Sequence, residues 1–197
     1  MSDIKTNSEL GDPSALGLIS YGIALISLSF IVANIFPKSD MIMAIIIVGT
    51  VGIGIASIID FLRGQTFGGV AFGGWALFFW AFTYVVAQSP IPKGSAWAAG
   101  PHLAYLGWYF MFWAAFGLLT FFGAIVARKW MMLRVALGFT TLMLVLVAVA
   151  HWLSNPEPNH LLMLLGGISG IIASVCAGYT AFAALLNEIA GKRLVVA

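Results

Sequence analysis

Charge is scarce in this sequence. Asp, Glu, Lys and Arg make up 8% of the 197 residues, whereas hydrophobic residues make up 61%. A soluble domain carries about 25% charged and about 45–50% apolar residues, so a water-soluble fold could not bury this much apolar surface. The net charge of +2 is small and dispersed, which argues against a nucleic-acid-binding surface. The composition therefore predicts an integral membrane protein.

Residues for a disulfide, metal or catalytic site are also few. Cys176 is the one cysteine, so the chain forms no internal disulfide and no thiolate metal site. His102, His151 and His160 lack the spacing of a zinc-binding helix, and no serine lies in a nucleophile-elbow sequence. We interpret the histidines as interfacial residues, and we expect no cofactor, no metal and no enzymatic activity.

Six apolar stretches are long enough to cross a bilayer, which takes about 20 mostly apolar residues in a helix. Charges and prolines separate the predicted helices, which are Leu16–Phe36, Met41–Leu62, Phe67–Gln88, His102–Ala127, Trp130–Leu153 and His160–Ala190. The sequence therefore predicts an all-α integral membrane protein with a six-helix domain over residues 14–191. We expect a polar N-terminal tail over 1–13, without a cleaved signal peptide, and a short C-terminal tail over 192–197.

The distribution of Lys and Arg predicts the orientation of the helices. Seven basic residues fall on one side of the membrane, and Lys38 and Lys93 fall on the other. Cytoplasmic loops carry an excess of Lys and Arg, so we expect a multi-pass protein of the plasma or inner membrane with both termini in the cytoplasm. The seven residues are Lys5, Arg63, Arg128, Lys129, Arg134, Lys192 and Arg193.

The middle of each predicted helix is uncharged. Asp60 precedes Arg63 by one turn and Glu188 precedes Lys192 by four residues, and we interpret both as interfacial ion pairs. This pattern argues against a pump with buried carboxylates and against a voltage sensor. The polar groups at depth are neutral, and they suit a weakly bound organic anion or hydrogen bonds between helices. They are Ser20, Tyr21, Asn34, Trp75, Thr83, Thr140, Thr141, Ser174 and Tyr179.

Glycines four residues apart occur in two of the predicted helices. Gly69 with Gly73, and Gly166 with Gly170, present small surfaces on one helix face. In a membrane such pairs let helix backbones approach closely. We interpret them as helix-packing sites, and a role for some of them in lining a pore is the alternative.

Three motifs, in order along the chain, resemble the acetate uptake transporter family, which includes bacterial succinate–acetate permeases. Asp12-Pro13-Ser14-Ala15-Leu16-Gly17-Leu18 is similar to the family's Asn-Pro-Ala-Pro-Leu-Gly-Leu but differs at the first, third and fourth positions. Gly64-Gln65-Thr66-Phe67-Gly68, followed by Ala71-Phe72, resembles Gly-Asn-Thr-Phe-Gly with Ala-Phe. Tyr179 with Leu186-Asn187-Glu188 is similar to the family's Tyr and Leu-Asn-Glu at the same separation.

The resemblance implies a homo-hexamer of six-helix protomers, each with its own pore for acetate or a related short carboxylate. It also implies a constriction formed by an aromatic residue on helix one, a tyrosine on helix three and a leucine on helix five. These positions correspond to Tyr21, Trp75 and Phe139, and we hypothesise that a narrower waist here favours acetate over succinate. The other candidates for the mouth and pore lining are Pro13, Leu16, Gly17, Thr66, Phe67, Thr140, Ala177 and Tyr179.

Asp12 is the departure from the family motif with the clearest physical consequence. Free amides at the helix N-termini near Pro13 and Thr66 would attract an anion. The Asp12 carboxylate suits a helix cap but would repel that anion. Either Asp12 caps the helix and points away, or anion affinity at this mouth is weaker than in the family.

Two other functions are compatible with these residues. An uncharged waist would also serve a channel for a small neutral solute, such as ammonia, urea or undissociated acid. A non-transporting membrane scaffold would use the glycines for packing alone. For a carboxylate, channel conduction and proton-linked transport both fit the sequence, since the substrate can carry its own proton.

Overall fold

The computed structural model describes residues 10–37, 39–87, 102–153 and 158–196. Over these ranges the regular structure is helical and consists of α1 (Ser14–Val32), α2 (Asp40–Leu62), α3 (Thr66–Ala87), α4 (His102–Val126), α5 (Met131–Leu153) and α6 (His160–Ala190). Each helix contains an apolar segment of 19 or more residues, long enough to cross a membrane. The prediction of six transmembrane helices is confirmed.

Helix α1 ends at Val32. The apolar run in the sequence predicts a later end, at Phe36. Asn34 adopts a positive φ of 56°, a left-handed conformation that Asn tolerates and that ends a helix. The backbone amide of Ile35 then donates to the Phe30 carbonyl at 2.9 Å, which closes the turn. Asn34 therefore lies beyond the helix instead of at mid-membrane depth.

The helices pack as a closed circuit in chain order, α1 against α2 and α6, α2 against α3, and α5 against α4 and α6. Because successive helices alternate in direction, one end of the bundle holds the start of α1, the end of α6 and the short connections α2–α3 and α4–α5. We call this end the termini side. The contact between α3 and α4 depends on aromatic side chains, including Trp75 with Phe116 (ring centroids 5.4 Å apart) and Phe78 with Trp113 (5.5 Å).

Glycines lie where the helices approach most closely. A Cβ added to Gly73 of α3 would lie 2.8 Å from the Ser57 hydroxyl of α2, and one added to Gly166 of α6 would lie 3.0 Å from Val147 of α5. At Gly69 and Gly170 an added Cβ would meet Phe61 and Ser29, respectively. The predicted glycine pairs thus lie at helix–helix contacts.

Gly49 and Gly54 of α2 give a matched test of this packing. A Cβ at Gly49 would lie 2.8 Å from the Ser20 carbonyl oxygen of α1, whereas one at Gly54 would meet nothing within 4 Å. We expect Gly49→Ala to cost roughly 1–3 kcal/mol, because the α1 backbone must move away, and to lower the melting temperature by several degrees. Gly54→Ala, which raises helix propensity by about 1 kcal/mol, should leave the melting temperature unchanged or higher. Thermal unfolding in detergent measures both, and equal losses would contradict the close α1–α2 contact.

Candidate functional site

An internal cavity of about 230 Å³ extends from charged residues on the termini side to aromatic residues inside the bundle. Five of the six helices and the α4–α5 connection contribute to it, so its lining comes from a single chain. Its lining consists of Asp12, Ser14, Leu18 and Tyr21; Asp60; Phe67, Gly68, Ala71, Phe72 and Trp75; Lys129, Trp130, Leu133 and Leu137; and Thr180 and Ala184.

Tyr21 and Trp75 close the inner end of the cavity. Their ring centroids are 5.5 Å apart, and the two side chains are 3% and 2% exposed, so little space separates them. Leu137 of α5 lines the same cavity and is also buried. We call Tyr21, Trp75 and Leu137 the waist.

A hydrogen-bonded pair fixes Tyr21. The Tyr21 hydroxyl lies 2.6 Å from Thr140 Oγ1, and Thr140 donates its own proton to the Ala136 carbonyl at 2.9 Å. A threonine hydroxyl has one proton to donate, so Tyr21 donates to Thr140. The phenol oxygen keeps its capacity to accept a hydrogen bond.

Trp75 carries an unused hydrogen-bond donor. Its indole Nε1 is buried and has no hydrogen-bond partner among the described residues. A buried indole N–H usually finds a partner, and leaving a buried donor unpaired costs about 1–3 kcal/mol. The Trp75 side chain lines the cavity, so this unpaired donor belongs to a residue at the inner end of the cavity.

The structure places Phe139 away from the waist. Two residues along a helix rotate a side chain by about 200°, so Phe139 cannot share the face of Leu137. Phe139 instead lines a groove on the outer surface with Phe121 and Gly138. Leu137, on another face of α5, lines the cavity together with Tyr21 and Trp75.

The other predicted site residues divide into cavity and packing positions. Phe67 lines the cavity. Thr140 does not line it but forms a hydrogen bond with Tyr21, which does. The Pro13 carbonyl accepts from the Gly17 amide at 2.9 Å and so starts α1. A Cβ on Gly17 would lie 2.6 Å from the Phe72 ring, so this glycine lets α1 approach a cavity-lining side chain.

Four further predicted site residues also lie outside the cavity lining. Thr66 is the exposed first residue of α3, and Leu16 faces outward with 43% of its surface exposed. Ala177 is fully buried beside Gly22, in the contact between α6 and α1. Tyr179 is 41% exposed and does not line the cavity.

Tyr179 and Asn187 hold the C-terminal segment against α6. The Tyr179 hydroxyl donates to the Val196 carbonyl at 2.8 Å. Asn187 Oδ1 accepts from the amides of Leu194 and Val195 at 2.7 and 2.9 Å, and Asn187 Nδ2 donates to the Val195 carbonyl. The left-handed Gly191 (φ 60°) reverses the chain so that these contacts form. The Tyr and Leu-Asn-Glu motif of α6 therefore has a structural role here.

The mouth of the cavity carries two carboxylates and two cations. Arg63 Nη1 lies 3.2 Å from Asp12 Oδ1 and 3.6 Å from Asp60 Oδ1, so one guanidinium pairs with both carboxylates. Lys129 Nζ lies 5.6 Å from the centre of the Phe67 ring, which is within cation–π range. The formal charges of these four groups cancel, and the Glu188 carboxylate lies next to them, with its Oε1 3.4 Å from the Asp12 amide nitrogen.

Asp12 accepts a hydrogen bond from the first residue of α1 and pairs with Arg63 at the same time. Its Oδ1 accepts from the Ser14 amide at 2.9 Å. Partial burial raises the pKa of Asp12, but the hydrogen bonds from Ser14 and the Arg63 charge outweigh burial and hold that pKa below its ordinary value of 3.8. The charged carboxylate therefore stabilises the fold above about pH 4, and this contribution is lost as the pH falls below that value.

The second predicted ion pair is absent among the described residues. Glu188 forms no ion pair with Lys192, and its Oε1 instead accepts from the backbone amide of Asp12 at 3.4 Å. His151 is buried inside the bundle, where its Nδ1 donates to the Val147 carbonyl at 2.7 Å. Over the described ranges, no group of three or more His, Cys, Asp or Glu side chains has an arrangement that could hold a metal ion.

Six membrane-length helices and a cavity among them define the chain as a multi-pass membrane protein of the channel or transporter class. The sequence profile of the GPR1/FUN34/yaaH family matches residues 3–191, and the chain belongs to this family. The resemblance inferred from the three motifs is thereby confirmed.

Individual relatives agree with this assignment. The chain is 26% identical over 187 residues to the succinate-acetate/proton symporter SatP of Escherichia coli, covering 94% of both chains. It is 27% identical over 198 residues to an uncharacterized protein of Methanothermobacter thermautotrophicus, covering 97% of this chain and 93% of that one. Its fold matches a solved structure of the bacterial acetate channel SatP with a TM-score of 0.83 and 25% identity, covering 95% of this chain and 99% of the other.

Proposed function

We propose that the chain is a channel or permease for acetate and related short-chain carboxylates, with one pathway in each protomer. The observation that carries the proposal is the cavity within the bundle, which runs from a polar mouth to a waist of Tyr21, Trp75 and Leu137. Relatives over nearly the full length are described as an acetate channel and a succinate-acetate symporter. We propose no enzymatic activity and no cofactor.

The chemistry of the cavity suits weak binding of a small carboxylate. The Lys129 ammonium, whose residue lines the cavity, favours an anion near the mouth. At the inner end the indole N–H of Trp75 is an unused donor, and the remaining surface is apolar. One neutral donor holds a carboxylate without trapping it, which a conducting pathway requires.

Flux of labelled acetate into liposomes that contain the purified protein tests the proposal. We expect uptake above that of protein-free liposomes, saturation by unlabelled acetate and no effect of an equal concentration of choline. Protein that is folded and correctly inserted but gives no acetate uptake would contradict the proposal and favour a scaffold.

Passage of the undissociated acid is the second candidate, because the waist contains no charged side chain. Anion conduction makes acetate flux respond to membrane potential, whereas movement of the neutral acid or proton-coupled movement follows the pH gradient. Measuring acetate flux against imposed potential and against pH in the same liposomes therefore separates an anion channel from transport linked to a proton.

We also propose that both termini are cytoplasmic and that six protomers assemble as a homo-hexamer in the plasma or inner membrane. The orientation rests on the basic residues that lie on the termini side, in excess of those predicted for the other side. They are Arg63, Arg128, Lys129, Arg134, Lys192 and Arg193. The hexamer follows from the family resemblance.

Asp12→Asn tests the role of charge at the mouth. The asparagine oxygen can still accept from Ser14 and cap α1, but the cluster with Asp60, Arg63 and Lys129 then carries one net positive charge. We expect the initial rate of acetate influx from this side to rise by roughly two- to fivefold at low ionic strength and to return to the wild-type rate at high salt.

The matched control for this variant is a neutral solute that uses the same pathway, whose flux a change of charge should leave unaltered. A rate that is identical to wild type at every salt concentration would show that Asp12 serves the cap alone. Loss of flux together with a lower melting temperature would show that the pairing with Arg63 is needed for the fold.

A further inference from the structure

A groove of about 560 Å³ runs along the outer face of α4 and α5, separate from the internal cavity. Two faces of helix α5 line different spaces. Leu133 and Leu137 line the cavity, whereas Arg134 and Gly138 line the groove. Beyond Arg134 the groove is apolar, with Phe121, Ile125, Phe139 and Leu142 among its lining residues.

Arg134 is the one charged residue in this groove. Its Nε atom is buried and has no hydrogen-bond partner among the described residues, and no described carboxylate forms an ion pair with its guanidinium. Arg134 lies three residues after the start of α5 on the termini side, about 5 Å along the helix axis. A residue in the first turn of a membrane-spanning helix is expected at the level of the interfacial layer, which is about 5–7 Å thick on each side of the hydrocarbon core.

A buried guanidinium N–H without an acceptor, such as the Nε–H of Arg134, is unfavourable, and a phosphate supplies the acceptor that suits the planar fork of the side chain. The order of groups along the groove, a cation at interfacial depth followed by an apolar channel, matches a phospholipid headgroup followed by its acyl chain. We propose that this groove binds an anionic phospholipid, with the phosphate on Arg134 and one acyl chain along Phe121, Phe139 and Leu142.

The described carboxylates on the termini side do not offer a better partner from a second copy of the chain. Asp12 and Asp60 both pair with Arg63, and Glu188 accepts from the Asp12 amide. Asp40 lies at the start of α2, on the opposite side of the bundle. A lipid phosphate therefore fits the Arg134 site better than these side chains do.

Gly138 keeps the floor of the groove open. A Cβ at this position would lie 3.3 Å from the Phe121 ring, so a larger side chain would project into the space assigned to the acyl chain. Gly138→Leu and Arg134→Gln therefore disturb the two ends of the same site by different means, one by volume and one by charge.

Native mass spectrometry of the full chain in detergent tests the proposal with two probes of identical acyl chains, phosphatidylglycerol and phosphatidylcholine. We expect wild type to retain phosphatidylglycerol preferentially. Arg134→Gln should weaken phosphatidylglycerol binding about fivefold or more and remove the preference, whereas Arg134→Lys should keep part of it. Gly138→Leu should reduce retention of both lipids.

Arg193→Gln is the matched control, because Arg193 is an exposed cation on the termini side and outside the groove. Its lipid preference should equal that of wild type, and the helical content of each variant is checked by circular dichroism. An Arg134→Gln protein that keeps the phosphatidylglycerol preference would overturn the proposal. So would equal losses in Arg193→Gln, or a change in oligomeric mass while the lipid preference persists, which would assign the groove to a second copy.

Discussion

We expect Trp75→Ala to raise succinate flux relative to acetate flux about tenfold, which corresponds to lowering the barrier for the larger solute by about 1.4 kcal/mol. The Trp75 indole is 2% exposed and packs against Tyr21 and, across the bundle, against Phe116 at 5.4 Å between ring centroids. Its removal widens the inner end of the cavity, where the longer dicarboxylate meets the greatest obstruction.

Uptake of labelled acetate and succinate by the same liposomes measures this ratio. Phe78→Ala is the matched control, since Phe78 is fully buried in α3 and contacts Trp75 at 5.8 Å but does not line the cavity. Its loss of packing should lower stability and leave the ratio unchanged. Comparable uptake of acetate and succinate by wild type would contradict the hypothesis that the narrow waist favours acetate.

Ala71→Trp should reduce acetate flux at least tenfold. Ala71 lines the cavity one helical turn before Trp75, and an indole at this position would fill much of the 230 Å³ that the cavity offers. A closed pathway adds a steric barrier that no change in driving force removes, so the loss should persist at every acetate concentration.

Val70→Trp is the matched control for the obstruction. Val70 precedes Ala71 but is 42% exposed on the outer face of α3, where a large apolar side chain contacts lipid. Initial rates normalised to the inserted protein should be close to wild type for Val70→Trp. Wild-type rates in Ala71→Trp would place the pathway outside this cavity.

The six helices could be predicted because an apolar run of membrane length must pair its own backbone polar groups in lipid, and a helix does so. The end of α1 could not be predicted in the same way. The apolar residues continue to Phe36, whereas the chain turns at Asn34, which adopts a left-handed conformation. That turn depends on backbone geometry that hydropathy does not report. Asn followed three residues later by Pro37 is the local signal that favours the earlier end.

The structure brings two of the three predicted constriction residues together and separates the third. Motifs set the register of Tyr21 and Trp75 on α1 and α3, and both residues line the cavity. No motif sets the register of α5, and Phe139 lines the outer groove, because two residues along a helix turn a side chain by about 200°. Leu133 and Leu137, four residues apart, line the cavity together, as do Phe67, Ala71 and Trp75, and this spacing is the signal that identifies the correct face.

Tyr179 illustrates a different limit. A motif that matches the family shows that a residue type belongs at a position, but it does not show what the side chain contacts. In this chain the Tyr179 hydroxyl and the Asn187 amide bind the C-terminal segment, and these contacts with residues 194–196 follow from the left-handed Gly191. The pore role predicted for Tyr179 has no support in its position.

The most direct test of the pathway uses a thiol placed at position 71. Cys176 is the single cysteine of the chain, so Cys176→Ala provides a background in which Ala71→Cys is the only thiol. A positively charged methanethiosulfonate reagent is added to liposomes during acetate uptake, and Val70→Cys in the same background is the control. We predict that modification of Ala71→Cys stops acetate flux while modification of Val70→Cys leaves it unchanged. Complete modification of Ala71→Cys with undiminished acetate flux would contradict a pathway through this cavity.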